Sequence, residues 1–357
     1  MEVPFLYMPV IKWRQGEYQA LLRLHKSVKD HVFPLIVVPP VEYDFEEKRP
    51  KKTVQEHIQP FAKRFHKKWG GRKACIDLHD SLLSARMQNA SLVVSYIFEE
   101  LRQEGCAAIP VTRLSHDMSF VNEIKRIVSV DGKGVALRIT LDDIMSQNVD
   151  SLIKSVMLRL GVAVSDIDLI VDIEDPESFE PYDVFAKALS SAIRNISDLV
   201  AFRTFFVAGT SLKLSNVRRP GGEPTRHEWL LYKELARELK DIRVPEYGDY
   251  TIETPYFIDQ DMRFLKPAGK IVYTTDSTWL VPKGKNFRED REQMVDHCSY
   301  IVNSGKYCGP AFSHGDKRIY DTLNKIEGTG NQGTWKGVGV SHHITFVVKQ
   351  LSIFRVY

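Results

Sequence analysis

Three cations, Lys12, Arg113 and Arg138, and three carboxylates, Asp77, Asp172 and Asp249, stand at or just beyond the ends of short apolar runs. Gathered at one mouth, such a set could hold an anion and move a proton. Lys12, Arg113 and Arg138 are then candidate ligands of a nucleotide or phosphate ester. Asp77, Asp172 and Asp249 are candidate catalytic acids or bases, with hydrolysis the expected chemistry. The carboxylates could also bind a divalent cation, although no spacing defines a metal site and no other cofactor is signalled. Confinement of mixed charges shifts their pKa values, which favours proton transfer. Tyr250 follows Asp249, and Thr210 with Ser211 forms a small polar loop of the kind that binds phosphate through backbone N–H groups. No GxSxG elbow surrounds Ser211, so it is not read as a nucleophile. In IDLHD (76–80) Asp77 and His79 share a strand face, and the plainer reading is a histidine hydrogen-bonded near the strand end. In VDIED (171–175) Asp172 and Glu174 share a face in the same way. The competing account of all these charges is an ion-pair network that closes the mouth without catalysis.

The elements that must position these residues follow from the pattern of apolar residues. Runs at 6–12, 34–41, 74–78, 107–113, 134–140, 169–174, 204–208 and, more weakly, 247–252 read as strands. Between them, stretches near 17–31, 53–69, 89–104, 117–130, 148–160, 178–196 and 226–240 have helical periodicity. Eight strands alternating with seven helices over about 250 residues is the arithmetic of a (β/α)8 TIM-type barrel. No GxGxxG follows the first strand and no GxxxxGK[ST] occurs, so neither phosphate-binding fingerprint of an open nucleotide-binding sheet is present. The barrel is assigned to 1–254. Residues 255–357 are read as a C-terminal α+β elaboration that packs on the barrel and covers its mouth. Asn89 to Ser91 are expected to cap the third helix, Gly105 and Gly161 to end the third and fifth, and Ser341 to cap a last helix.

Composition excludes several classes. With 43% hydrophobic and 27% charged residues the chain suits a packed globular core, and a net charge of +3 is far from that of a nucleic-acid coat. The four cysteines form no CxxC pair, and no run of about 18 apolar residues is present, so a cytoplasmic protein without a membrane span is expected. Basic stretches at 63–73 and 283–291 could touch nucleic acid if they formed one continuous surface, a reading ranked below the others.

The opening YMPVIKWRQGEYQAL, the strand-two PLIVVPP, the GDY at 248–250 and the closing SHGDKRI, GNQGTW and SHHITFVVKQL together resemble the Beta protein family of phages and prophages. Lys12, Gly16 and Glu17 lie in the first matching motif and Gly248, Asp249 and Tyr250 in the second. Ser313, Gly315, Asp316, Asn331, Trp335, His342 and His343 lie in the last. The resemblance implies a barrel-like fold and a setting in phage defence or counter-defence, and it brings no catalytic assignment. It makes Glu17, Ser313, Asp316, His342 and His343 further candidates for ligand contact. The alternative function is a non-catalytic scaffold that binds a phage protein or a partner effector.

Overall fold

The computed structural model describes residues 6–257 and 266–354. Eight strands close into a parallel barrel: β1 (Tyr7–Lys12), β2 (Leu35–Val38), β3 (Ala74–Leu78), β4 (Ala108–Thr112), β5 (Val135–Thr140), β6 (Ile167–Asp172), β7 (Thr204–Gly209) and β8 (Glu246–Asp249). Each strand pairs with its sequence neighbours, and β8 closes on β1 with Tyr7 beside Tyr247 and Pro9 beside Asp249. The strands read as continuous apolar runs because both faces are buried, one in the barrel and one against helices.

Strand alternation divides the core in two. Met8, Val10, Leu35, Val37, Cys75, Ile109, Val111, Ala136, Ile170, Phe206 and Tyr250 fill the barrel, whereas Tyr7, Ile11, Ile36, Ile76, Leu137, Leu169 and Tyr247 join the larger shell under the helices. Seven helices alternate with the strands: α1 (Gln15–Arg23), α2 (Phe61–Trp69), α3 (Val93–Gln103), α4 (Met118–Asp131), α5 (Val149–Leu160), α6 (Tyr182–Arg194) and α7 (His227–Glu238).

The expected helix at 53–69 is broken. Thr53 caps a short turn (Val54–Ile58) through a capping box with Glu56, and α2 begins after Pro60, which supplies no N–H to continue the first piece. The Asn89 to Ser91 segment does not cap α3. Asn89 Oδ1 instead accepts from the amide and hydroxyl of Ser91, a closed local turn, and α3 starts two residues later without a side-chain cap. Gly161 ends α5 in the left-handed region at φ 70°, as expected, and Gly105 at φ 68° follows the end of α3.

Beyond β8 the chain forms an antiparallel sheet of β9 (Ala268–Lys270), β10 (Tyr273–Thr274) and β11 (Trp279–Asn286), to which Gly221–Gly222 adds an edge. Then come α8 (Gln293–Val302), α9 (His314–Leu323) and the 22-residue α10 (Gln332–Ile353). Asn331, not Ser341, caps α10: its Oδ1 accepts from the Thr334 amide at 3.0 Å, and Ser341 is buried nine residues inside the helix. A helix covered on nearly all sides carries no polar stripe to mark its start, so Ser341 reads as a boundary. Gly339, within the helix, is small because neighbours approach closely there: a Cβ on it would come within 2.6 Å of Ile252 and 2.9 Å of the Val272 carbonyl oxygen. A Cβ on Gly315 of α9 would come within 2.3 Å of the Val338 carbonyl oxygen.

α10 runs along α1 and also reaches α7, where Gln350 accepts from Arg226 and Phe354 packs on Trp229 and Tyr232. It therefore fills the gap between the last and first barrel helices, the position of an eighth barrel helix. The sheet, α8 and α9 lie between it and β8 in sequence.

Candidate functional site

The C-terminal ends of the strands point Lys12, Asp77, Arg113, Arg138, Asp172 and Tyr250 inward, because each shares the parity of the barrel-filling residues on its strand. Five of them form one hydrogen-bonded set. Arg138 donates from Nε to Asp172 at 2.8 Å, from Nη1 to Asp77 at 2.6 Å and from Nη2 to the Tyr250 hydroxyl at 2.8 Å. Tyr250 donates in turn to Asp172 at 2.6 Å. Arg113 donates to Asp77 and to Asp80, both at 2.8 Å. The remaining carboxylate oxygens accept from the chain itself, Asp77 from the Leu78 amide and Asp172 from the Glu174 amide.

The electrostatics follow from this enclosure. Burial alone would raise the Asp77 pKa, yet the Arg113 and Arg138 guanidiniums hold it below the usual carboxylate range. Arg138 is raised well above its ordinary value against the cost of its burial, chiefly by Tyr250, Asp172 and Asp77. The Tyr250 phenol is raised by burial, with Asp172 adding to it and Arg138 opposing.

Over this set lies the segment after β8. The Lys12 ammonium donates to the Tyr256 carbonyl, sits 4.0 Å from Glu253 and lies 4.8 Å from the centre of the Phe257 ring. Burial lowers its pKa. The Tyr256 hydroxyl donates to Asp175, and Phe257 meets the His79 ring edge-on. His79 itself bonds Ser81 and makes no hydrogen bond with Asp77, the plainer of the two readings of that pair. A cavity of about 610 Å³ opens between the loops after β6 and β7.

Asp249 does not belong to the mouth, which corrects its convergence with Asp77 and Asp172. It aligns with Pro9 and Gly209 while Gly248 aligns with Met8, so its side chain leaves the barrel on the helix side. There it accepts from the Tyr7 hydroxyl at 2.5 Å, the His343 ring at 2.8 Å and the Thr251 amide at 2.9 Å. Burial disfavours its ionisation, but His343 and Tyr7 hold its pKa below the usual range. Burial keeps the His343 imidazole below its ordinary pKa despite the pull of Asp249. The neutral ring donates from Nε2 to Asp249, and its Nδ1 lies 2.8 Å from the Thr274 hydroxyl.

His342 turns the other way. Its two nitrogens lie 2.9 Å from Asp316 and from the Thr274 carbonyl, and its ring stacks on Tyr273 at 3.7 Å. Asp316 also accepts from Tyr273 and Ser313, and Ser313 caps α9. Ser313, Asp316, His342 and His343 therefore join α9, α10, β10 and β8 through buried bonds, away from the mouth set.

Thr210 and Ser211 are likewise engaged. Thr210 Oγ1 accepts from the Leu212 amide, and Ser211 Oγ donates to Glu228 at 2.6 Å and accepts from the His227 amide. Glu17 is fully buried at the start of α1, its nearest cation is Lys336 at 3.9 Å, and neither carboxylate oxygen has a hydrogen-bond partner. Burial pushes its pKa up to about 7.

Tyr7, Glu253, Lys336 and Arg226 were not among the sequence candidates. Tyr7 sits inside an apolar run, and Glu253 and Lys336 meet Lys12 and Glu17 only through tertiary packing. Nor do the two basic stretches form one surface. The first lies on α2 between β2 and β3, and Lys283 of the second bonds the loop after β7, on the other side of the barrel. The four cysteines are free thiols. Among the described residues no helix is long and apolar enough to cross a membrane, and no group of three His, Cys, Asp or Glu side chains is placed to hold a metal.

A family model described as Beta protein matches residues 7–349. Among curated proteins none matches. Of solved structures, an alanine racemase of Clostridium difficile 630 in complex with cycloserine is similar at 12% identity and a TM-score of 0.30. The match covers 76% of this chain and 59% of that one. The barrel assignment rests on the strand pairing described above rather than on that likeness.

Proposed function

The chain belongs to the Beta protein family, and from that premise we propose that it acts in phage–host conflict as a non-catalytic barrel scaffold, engaging a phage protein or a partner effector. The observation that carries this reading is the closed mouth network. Arg138 spends its donors on Asp77, Asp172 and Tyr250, and Arg113 spends both terminal nitrogens on Asp77 and Asp80, with only its buried Nε left without an acceptor. A catalytic mouth needs donors and carboxylates aimed at a substrate; these are aimed at one another. The polar core then serves to hold eight strand ends in register beneath whatever docks on the loops.

The test combines turnover with function in cells. Purified protein is assayed with aryl phosphate mono- and diesters and dinucleotides in magnesium or manganese, beside Asp172→Asn. Phage plating efficiency is measured for both proteins in the native gene setting. The scaffold reading expects no turnover above that of the variant, and a plating effect that scales with the amount of folded protein. A variant that folds with unchanged thermal stability yet loses turnover or the plating effect overturns it, and restores hydrolysis with Asp172 as base or cation ligand.

A further inference from the structure

A second cavity, of about 260 Å³, lies on the same C-terminal face but outside the mouth network, between the β1 end, the loop after β2 and α2. It is lined by Trp13, Arg14, Tyr18, Lys51, Lys52 and Arg64, with Pro39 to Val41 as an apolar wall. Four cations thus face the one carboxylate of Glu42, and Lys51 is the one bound to it, at 3.1 Å. Among the described residues no carboxylate lies within 4 Å of Arg14, Lys52 or Arg64. Arg14 rests over Phe257 and Arg64 over Tyr18, at 5.4 and 5.5 Å, which steadies each guanidinium without neutralising it.

His57, also at the cavity, adds no cation near neutral pH, since burial lowers its pKa against the opposing pull of the Pro39 carbonyl that its Nε2 bonds. Trp13, 5% exposed, carries a buried indole N–H with no acceptor. A buried donor left unmade is costly, and a ligand oxygen would satisfy it.

We propose that this cavity is a binding site for a nucleoside phosphate. Its excess positive charge calls for a polyanion, and two unpaired guanidiniums match the paired oxygens of a phosphate group. The apolar wall and the Trp13 N–H suit an attached sugar or base. The volume takes one nucleotide unit rather than a duplex. The unit can come from a free nucleotide or from the 5′-phosphorylated end of a single strand. The proposal does not depend on whether the mouth is catalytic.

Binding is measured by calorimetry with pyrophosphate, ADP, a short 5′-phosphorylated oligonucleotide and the same oligonucleotide without its phosphate. The Lys52→Glu/Arg64→Glu double variant changes only exposed side chains, so it is expected to unfold at the wild-type temperature. ADP or the phosphorylated strand is expected to bind at least tenfold more weakly to it, while Lys154→Glu, on the exposed part of α5, leaves binding unchanged. Trp13→Phe is expected to weaken binding and to remove the change in tryptophan fluorescence that accompanies it. ADP binding with no binding of either oligonucleotide identifies a free nucleotide as the source, and binding of the phosphorylated strand more tightly than ADP identifies a strand end. Equal affinity for the wild type and the double variant overturns the site, as does an oligonucleotide that binds equally with and without its phosphate, or no binding of any probe at millimolar concentration.

Discussion

Replacing Arg138 by Met removes a cation buried among two carboxylates and a phenol while keeping most of its volume. Asp77 retains Arg113, but Asp172 is left with Tyr250 and the Glu174 amide and no cation within reach. Breaking a buried ion pair from one side costs about 3–5 kcal/mol, because the remaining charge stays desolvated. Unfolding entropy near 2.1 cal/mol/K per residue gives about 0.75 kcal/mol/K for this 357-residue chain, so the midpoint should fall by about 4–7 °C. Adding Asp172→Asn to Arg138→Met removes the stranded charge, and the two losses should fail to add by about 1 kcal/mol or more. Calorimetry of the four proteins of this cycle measures both quantities. The reasoning is refuted if Arg138→Met unfolds at the wild-type temperature, or if the two substitutions add. Either result would mean that the network does not hold the strand ends, and that its charges are kept for another purpose.

Two further consequences follow from buried groups outside the mouth. Glu17, with a folded pKa of about 7 against 4.5 when exposed, favours the native state only while protonated. Its contribution is complete below pH 4.5 and lost as pH rises through 7, a swing of roughly 3 kcal/mol. Glu17→Gln should therefore gain stability over the wild type between pH 5 and pH 8 in urea titrations, and a constant difference would contradict the burial of that carboxylate. Asp249 and His343 run the other way, since both folded pKa values are depressed. Their stabilisation is present above the unfolded values and is lost as pH falls, first below about 6.5 for the imidazole and then below about 4 for the carboxylate. His343→Gln should flatten the acid side of the stability profile, and an unchanged slope between pH 7 and 5 would show that the ring does not titrate there.

The barrel was legible in the sequence because its signals are local. Strands buried on both faces must be apolar runs, and crossovers between parallel strands must be helices, so 250 residues state their order without any contact being known. Lys12, Asp77, Arg113, Arg138, Asp172 and Tyr250 could likewise be placed at strand ends. Period-two alternation says that Asp249 and Tyr250 face opposite ways, but not which of them enters the barrel. Closure of β8 on β1 decided that, sending Tyr250 to Arg138 and Asp249 to His343. Whether a charge is free or paired is also decided by closure, since Arg138 meets Asp77 from 61 residues away and Tyr250 from 112. The place of α10 beside α1, the burial of Glu17 against it and the correction at Ser341 have the same cause. A helix enclosed on most sides is shaped by its neighbours rather than by a periodic stripe, and those neighbours exist only once the chain has folded.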